Sequence, residues 1–347
     1  MQVFMMRLVI YICGFFITQA EGLKTTLFNS WTCVGLHRDT DWTVPQRVQV
    51  GDLPLVLWSS GPDPAKDRMF SMLNICKHMG SRLDTGKVTD DCKLKCPYHG
   101  LEFSGTKDGF GQAVVHEGKV FWSYRPTQSR PPSTPFYHHP GFVTSSFEMD
   151  MPASLTDSAY NAMDVHHPEY VHRWGFGSSV PPTNLQHYRY TDRDGVVNRI
   201  GLAFDYVSSE LMQAVNQHKE PTRNFHMYKF PSFTWSRVSL RDRHLLISLH
   251  LCPLAPDVTR WYVTLCHNYH TSSFGQETMK LMAMVILGQD HVQMHQQVAE
   301  NPLKSAWTFQ NVLPQEDAVW WLREMMSSYQ YPDIKICEQL LREHQDP

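Results

Sequence analysis

Two short loops, Cys76-Lys77-His78 and Cys96-Pro97-Tyr98-His99, constrain this chain more than any other feature. Seventeen residues separate His78 from Cys96. Two thiolates and two imidazoles can hold a tetrahedral zinc ion. The same four groups can hold a [2Fe–2S] cluster, with both cysteines on one iron and both histidines on the other. Zinc-finger spacing groups two Cys and then two His. Here each loop supplies one of each, which suits two loops clasping a two-iron rhomb. Gly80 and Gly100 follow the histidines closely and permit turns that bring backbone N–H groups towards sulfur. Cys92 is a competing thiol four positions before Cys96, read as a loop residue and not a ligand.

Composition narrows the rest. The 347 residues suit two domains, and 42% hydrophobic with 19% charged residues is a globular balance. Lys and Arg total 31 against 34 Asp and Glu, so no basic excess exists to hold a phosphate backbone and nucleic acid is not an expected partner. Eight cysteines could form disulfides, but a chain this long can build a core without them. Reduced thiols are expected. Leu8 to Ile17 is an apolar run after Arg7, short of the roughly 20 residues of a membrane span. It reads as a targeting or tethering segment, with Ala20 before a cut, or as a buried N-terminal helix.

Residues 27–125 show short strand-like runs, among them Val48–Val50, Leu55–Trp58 and Val120–Trp122, punctuated by turns at Gly51-Asp52, Gly61–Pro64 and Lys107–Gly109. A small all-β domain is expected there. Five prolines between Arg125 and Pro140 mark a linker at 126–140. Residues 141–347 mix both element types. Strands are expected at Leu185–Tyr190, Val196–Tyr206, Phe233–Leu240, His244–Cys252 and Arg260–Asn268. Helices are expected at Tyr160–His172, broken at Pro168, at Gln276–Glu300, and from Pro314 through Trp320 and Leu322. The pattern predicts an α+β fold, with an apolar N-terminal segment over 1–26.

Leu27–Trp31, Pro54–Trp58, the two Cys/His loops, Gly100 and Phe103 together resemble the Rieske domain of Rieske non-heme iron oxygenases. Two departures stand out: Lys77-His78-Met79 where that family usually has Pro-His-Arg, and Leu101 where Trp is usual. Neither removes a ligand. The resemblance implies that Cys76, His78, Cys96 and His99 hold a [2Fe–2S] cluster. It also implies a catalytic domain of antiparallel sheet and helices, helix-grip-like, over 141–347.

Asn161-x-x-Asp164-x-x-His167-x4-His172 matches the same family's catalytic pattern. Oxygen-activating Fe(II) takes two histidines and one carboxylate on one face. On an unbroken helix, His167 and His172 would stand about 140° apart. Pro168 is expected to break the turn so that both rings converge. His166 is the rival ligand, one residue off the pattern. The carboxylate is expected from Asp290 by the family's late ligand helix, with Glu300 and Glu169 as alternatives. The resemblance gives Asp164 another role, bridging His167 to His99 of a neighbouring subunit.

The resemblance spans residues 27 to 325 and resembles the homotrimeric branch that includes vanillate O-demethylase and pheophorbide a oxygenase. It implies a terminal oxygenase with a [2Fe–2S] cluster and mononuclear Fe(II), fed by a ferredoxin or an NAD(P)H-dependent reductase. O2 would hydroxylate or oxidatively demethylate an apolar, aromatic or polycyclic molecule. The competing readings are a ring cis-dihydroxylating dioxygenase and an electron-transfer protein with an inactive second site. Phe225, Met227, Tyr228, Phe230, Phe233 and Trp235 are candidates for an apolar pocket or for ordinary sheet core. Cluster assembly places the chain in the cytoplasm or an organelle interior, targeted or tethered through residues 1–20.

Overall fold

The computed structural model describes residues 27–173, 177, 180–192, 195–209, 213, 219–240, 242–298, 300–301, 317–327 and 329–345. The apolar run Leu8–Ile17 and the expected helix start at Pro314 lie outside the described residues.

Three small antiparallel sheets come first. One pairs β1 (Thr32–Leu36), β9 (Lys119–Ser123) and β8 (Gln112–His116). The second pairs β2 (Gln46–Val50), β3 (Leu53–Ser59) and β4 (Met69–Leu73). The third holds the two-residue strands β5 (Lys87–Val88), β6 (Leu94–Lys95) and β7 (Glu102–Phe103). Strand β3 is buried nearly throughout (Leu-Pro-Leu-Val-Leu-Trp-Ser), because both its faces are covered. Val56 and Trp58 face a cluster that includes Cys76, Cys96, Leu94 and Phe103; Leu55 and Leu57 face the main core with Phe121 and Trp122.

A seven-stranded antiparallel sheet follows, in the order β10 (Val143–Met151), β16 (Val258–His267), β15 (Arg243–Ala255), β14 (Phe233–Leu240), β13 (Thr222–Lys229), β12 (Val197–Tyr206), β11 (Thr183–Thr191). Side chains alternate between its faces. One face carries Leu245, Leu249, Trp261, Val263 and Leu265, packed against α1 (Leu155–Met163), α2 (Ser273–Val298) and α3 (Asp317–Met326). The other carries Cys252 and Tyr262, which join the core of the small sheets. His250 from that face lies between Phe233 and Phe121, with ring centroids at 4.6 and 4.9 Å. The last helix, α4 (Ile334–Gln345), returns to the small sheets and buries Cys337 and Leu340 there. The Asp52 N–H donates to Pro332 O at 2.9 Å, and the Tyr331 hydroxyl to Asp52 Oδ1 at 2.9 Å.

The α+β expectation holds, and the seven described cysteines are free thiols. Four elements differ from the sequence reading. Strands β10 and β13 and helix α4 were not expected. The helix expected over Tyr160–His172 ends instead at Met163, followed by a short 3-10 turn at His167–Glu169. The cause is Asp164, whose Oδ1 accepts the N–H groups of His166 at 2.8 Å and His167 at 3.3 Å and so competes with helical bonding. Pro168 is the second residue of the 3-10 turn, within its first turn, where its missing N–H costs no bond.

Candidate metal centres and cavity

The two Cys/His loops are built alike. The Cys76 N–H donates to Ser81 O at 2.8 Å, and the Cys96 N–H to Leu101 O at 2.8 Å. The Gly80 N–H returns to Cys76 O at 2.8 Å and the Gly100 N–H to Cys96 O at 3.1 Å. Both glycines are left-handed, at φ 73° and 74°, where a side chain would be strained. Each hairpin therefore buries its cysteine and exposes its histidine. The His78 and His99 rings stand 4.8 Å apart. Burial pushes the Cys96 thiol up, but hydrogen bonds from the Tyr98 and His99 N–H groups, from Cys76 and from Ser81 bring it below its ordinary value. Two sheltered thiols and two solvent-facing imidazoles on matched loops fit a [2Fe–2S] cluster. Cys92 lies off this arrangement; its Sγ donates to Ser60 O at 3.6 Å.

The second group draws on α1, the turn after it and α2. His167 Nε2 and His172 Nε2 lie 3.3 Å apart. Asp290 Oδ1 is 3.5 Å from the first and its Oδ2 3.3 Å from the second. His167 Nδ1 donates to Asp164 O at 2.9 Å, and His172 Nδ1 donates to Gln289 Oε1 at 2.9 Å. Both Nδ1 atoms thus carry the proton and both Nε2 lone pairs point inward. Two lone pairs and a carboxylate that is 3% exposed repel one another unless a proton or a cation sits between them. This donor set fits one metal ion, and its three ligand atoms lie within 4.8 Å of one another. Burial holds His167 below the ordinary imidazole value against the charges of Asp290 and Asp164. Burial also pushes His172 down, yet its bonds to Asp290 and Gln289 outweigh that and leave it raised.

The other candidates fall elsewhere. His166 stands outside the three-ligand group, and its Nε2 is buried with no partner among the described residues. Glu300 pairs with His295 at 3.4 Å on the surface, and Glu169 sits in the 3-10 turn. Asp164 lines the cavity beside His167 with its carboxylate one-third exposed. Sequence reasoning missed Gln289 as a partner of His172 and missed the direct contact Asn161 makes, its Nδ2 donating to Asp290 Oδ1 at 3.2 Å. Gly177 closes over the turn, where an added Cβ would meet Pro168 O at 2.3 Å.

A cavity of about 690 Å³ opens from the three ligands along the sheet. Its walls are largely aliphatic, with Leu245, Ile247, Leu249 and Leu265 on one side and Met279 and Ile286 of α2 on the other. A polar strip from β13 and β14 (Asn224, His226, Thr234, Ser236) crosses it. The six residues read as either pocket lining or ordinary sheet core do not line it, which favours the sheet-core alternative. Phe225, Met227 and Trp235 occupy the opposite parity of the strands, and Phe225 packs on Trp235 at 5.3 Å. Tyr228 and Phe230 belong to the core cluster under α3, and Phe233 stacks on His250.

Residues 30–120 match the Rieske [2Fe-2S] domain family. This chain carries a Rieske domain. A [2Fe–2S] cluster is the cofactor of that domain family, and the donor set of the paired loops, which lie within the matched residues, fits it. Along 92% of this chain and 99% of the other, the fold superimposes on dicamba monooxygenase bound to dicamba, with a TM-score of 0.70 at 15% identity. Dicamba O-demethylase, oxygenase component, of Stenotrophomonas maltophilia is 27% identical over 181 residues, which is 43% of this chain and 48% of that protein. Pheophorbide a oxygenase, chloroplastic, of Arabidopsis thaliana is 30% identical over 87 residues, 25% of this chain and 16% of that one. The curated relatives are thus matched over less than half of their own length. The resemblance to Rieske oxygenases holds, and the expected complement of a cluster plus a mononuclear iron agrees with the three-ligand group.

Proposed function

We propose that this protein is the oxygenase component of a Rieske non-heme iron system. It hydroxylates or oxidatively demethylates an apolar, aromatic or polycyclic small molecule. One observation carries the reading: His167, His172 and Asp290 line the same apolar cavity, large enough for a multi-ring compound. In this reading Cys76, His78, Cys96 and His99 hold the cluster and the three cavity ligands hold the iron. Bound there, the cluster supplies single electrons and the iron supplies O2 activation.

The chain's own residues supply placement. Asp164 O and Gln289 fix the two ligand rings, and Asn161 steadies the carboxylate. The aliphatic walls exclude water and hold the substrate beside the metal ligands. The electron donor is a separate ferredoxin or NAD(P)H-dependent reductase. The working assembly is a homotrimer, in which a ring of head-to-tail contacts sets His99 of one subunit beside Asp164 of the next. Exposed Met79, Tyr98 and Leu101 around the cluster histidines support such a contact.

Domain limits follow at 27–125 for the Rieske domain, 126–140 for the linker and 141–347 for the catalytic domain. Among the described residues no helix is long and apolar enough to cross a membrane. Residues 1–20 are proposed to target or tether the chain to an organelle or cytoplasmic site, which fractionation of the full chain against one starting near Glu21 would test.

The activity test is oxygen uptake by the reconstituted protein with a reductase across a panel of apolar ring compounds, with labelled O2. One labelled atom in the product is expected. Two would establish cis-dihydroxylation instead. No substrate-dependent uptake from a protein holding both metal centres would leave the electron-carrier reading.

A further inference from the structure

Charge is divided along the cavity. Among its described lining residues, Asp164 and Asp290 stand at the metal end, and Arg243 is the single lysine or arginine. Arg243 is the exposed first residue of β15, in register with Leu240 of β14. Ser236 of β14, which faces His226 across the β13–β14 pair, lies four residues away along the strand. At roughly 3.3 Å per residue that is about 13 Å. His226 lines the cavity with Asn161, His167 and Asp290, and its strand packs against α1, so this end of the cavity is the metal end. Between the two ends the wall is Val238, Leu245 and Ile247.

Among the described lining residues the rim around Arg243 carries no carboxylate, although the exposed Asp242 precedes it in the chain and exposed Phe274 adds an apolar edge. Tyr269, His270 and Ser272 line the cavity from the β16–α2 connection. Arg243 makes no ion pair among the described residues. An arginine that opens an aliphatic cavity and is matched by no carboxylate of its own presents a planar fork to whatever enters.

We propose that Arg243 receives a carboxylate carried at the far end of an elongated, otherwise apolar substrate, about 13 Å or more from the carbon that faces the metal ligands. The proposal rests on reading this cavity as the oxygenase substrate site, and it narrows the substrate class from apolar ring compounds to apolar acids. A neutral compound of the same shape fills the cavity without that contact. A cationic end group would be repelled.

The test uses two probes that differ in charge alone, 1-pyrenebutyrate and 1-pyrenebutanol. Each is titrated into the full-length, metal-loaded protein, and energy transfer from tryptophan to pyrene reports binding; Trp261 lines the cavity. The acid should bind about tenfold more tightly than the alcohol, the usual scale of a charge-assisted bond at a partly exposed site. Arg243→Gln should remove that preference, Arg243→Lys should keep part of it, and Arg243→Glu should reverse it. Equal binding of the two probes, binding of neither, or a preference that survives Arg243→Gln would overturn the proposal. Iron content separates this result from the oxygenase reading. An Arg243-dependent preference in a protein that takes up no mononuclear iron would retain the pocket and reject the oxygenase. Full iron with no preference would do the opposite.

Discussion

His172 Nδ1 donates to Gln289 Oε1 at 2.9 Å, so the residue next to one proposed iron ligand orients another that lies 117 positions away. The bond fixes the tautomer that leaves His172 Nε2 free to bind metal. Gln289→Leu removes the acceptor with little change in size. We expect mononuclear iron affinity to fall roughly 10–100-fold, the range for loss of such an outer partner. The cluster absorption should stay as in wild type. Iron titration of the cluster-loaded variant measures this, and an unchanged affinity would remove Gln289 from the account.

The choice of carboxylate is testable separately. Asp290 is 3% exposed and faces both imidazoles, whereas Glu300 lies on the surface with His295. Asp290→Ala should lose the mononuclear iron and all oxygen uptake, and Glu300→Ala should lose neither. The reverse pattern would show that the third ligand is misassigned.

Much of this site was legible because its spacing is local. Cys76, His78, Cys96 and His99 sit in two short loops, and His167 and His172 share one turn. Asp290 needed the family resemblance, since nothing near it in sequence distinguishes it from a solvated helical Asp. The polar strip was hidden for a different reason. Strand β13 reads Thr-Arg-Asn-Phe-His-Met-Tyr-Lys, with the cavity face polar at Asn224 and His226 and the other face apolar at Phe225 and Met227. That inverts the usual rule that the apolar side faces inward, so the sequence left Phe225 and Met227 open between pocket lining and sheet core. The helix end at Met163 was missed because the Asp164 side chain outcompetes helical bonding there.

His250 offers a pH test away from the metals. It is buried between Phe121 and Phe233, its Nε2 has no partner among the described residues, and burial holds it well below the ordinary imidazole value. With a folded pKa below the unfolded one, its neutral form costs nothing above pH ~6.5. As pH falls below that value the unfolded chain takes up a proton that the folded chain refuses. Stability then drops by up to about 1.4 kcal/mol per pH unit from this one group. His250→Phe should remove that part of the slope. Urea unfolding at pH 7 and pH 5.5 measures it, and equal slopes in variant and wild type would contradict the assignment.

Asp164 tests the proposed assembly. Asp164→Asn keeps the size but loses the charged acceptor that would bridge two imidazole N–H groups. Both metal centres should load normally while substrate-dependent oxygen uptake falls at least tenfold. Full turnover by the variant, or an active wild-type monomer by light scattering, would rule out electron transfer across a subunit boundary.

The most direct measurement is iron and acid-labile sulfide per chain, taken on the anaerobically reconstituted wild type and on Cys96→Ser and His172→Ala. A [2Fe–2S] cluster plus one mononuclear site requires about three iron and two sulfide in the wild type. His172→Ala should retain about two of each together with the cluster spectrum. Cys96→Ser should lose the sulfide and the visible absorption. A wild-type protein with two iron and two sulfide, unchanged by His172→Ala, would contradict the second metal centre and with it the oxygenase reading.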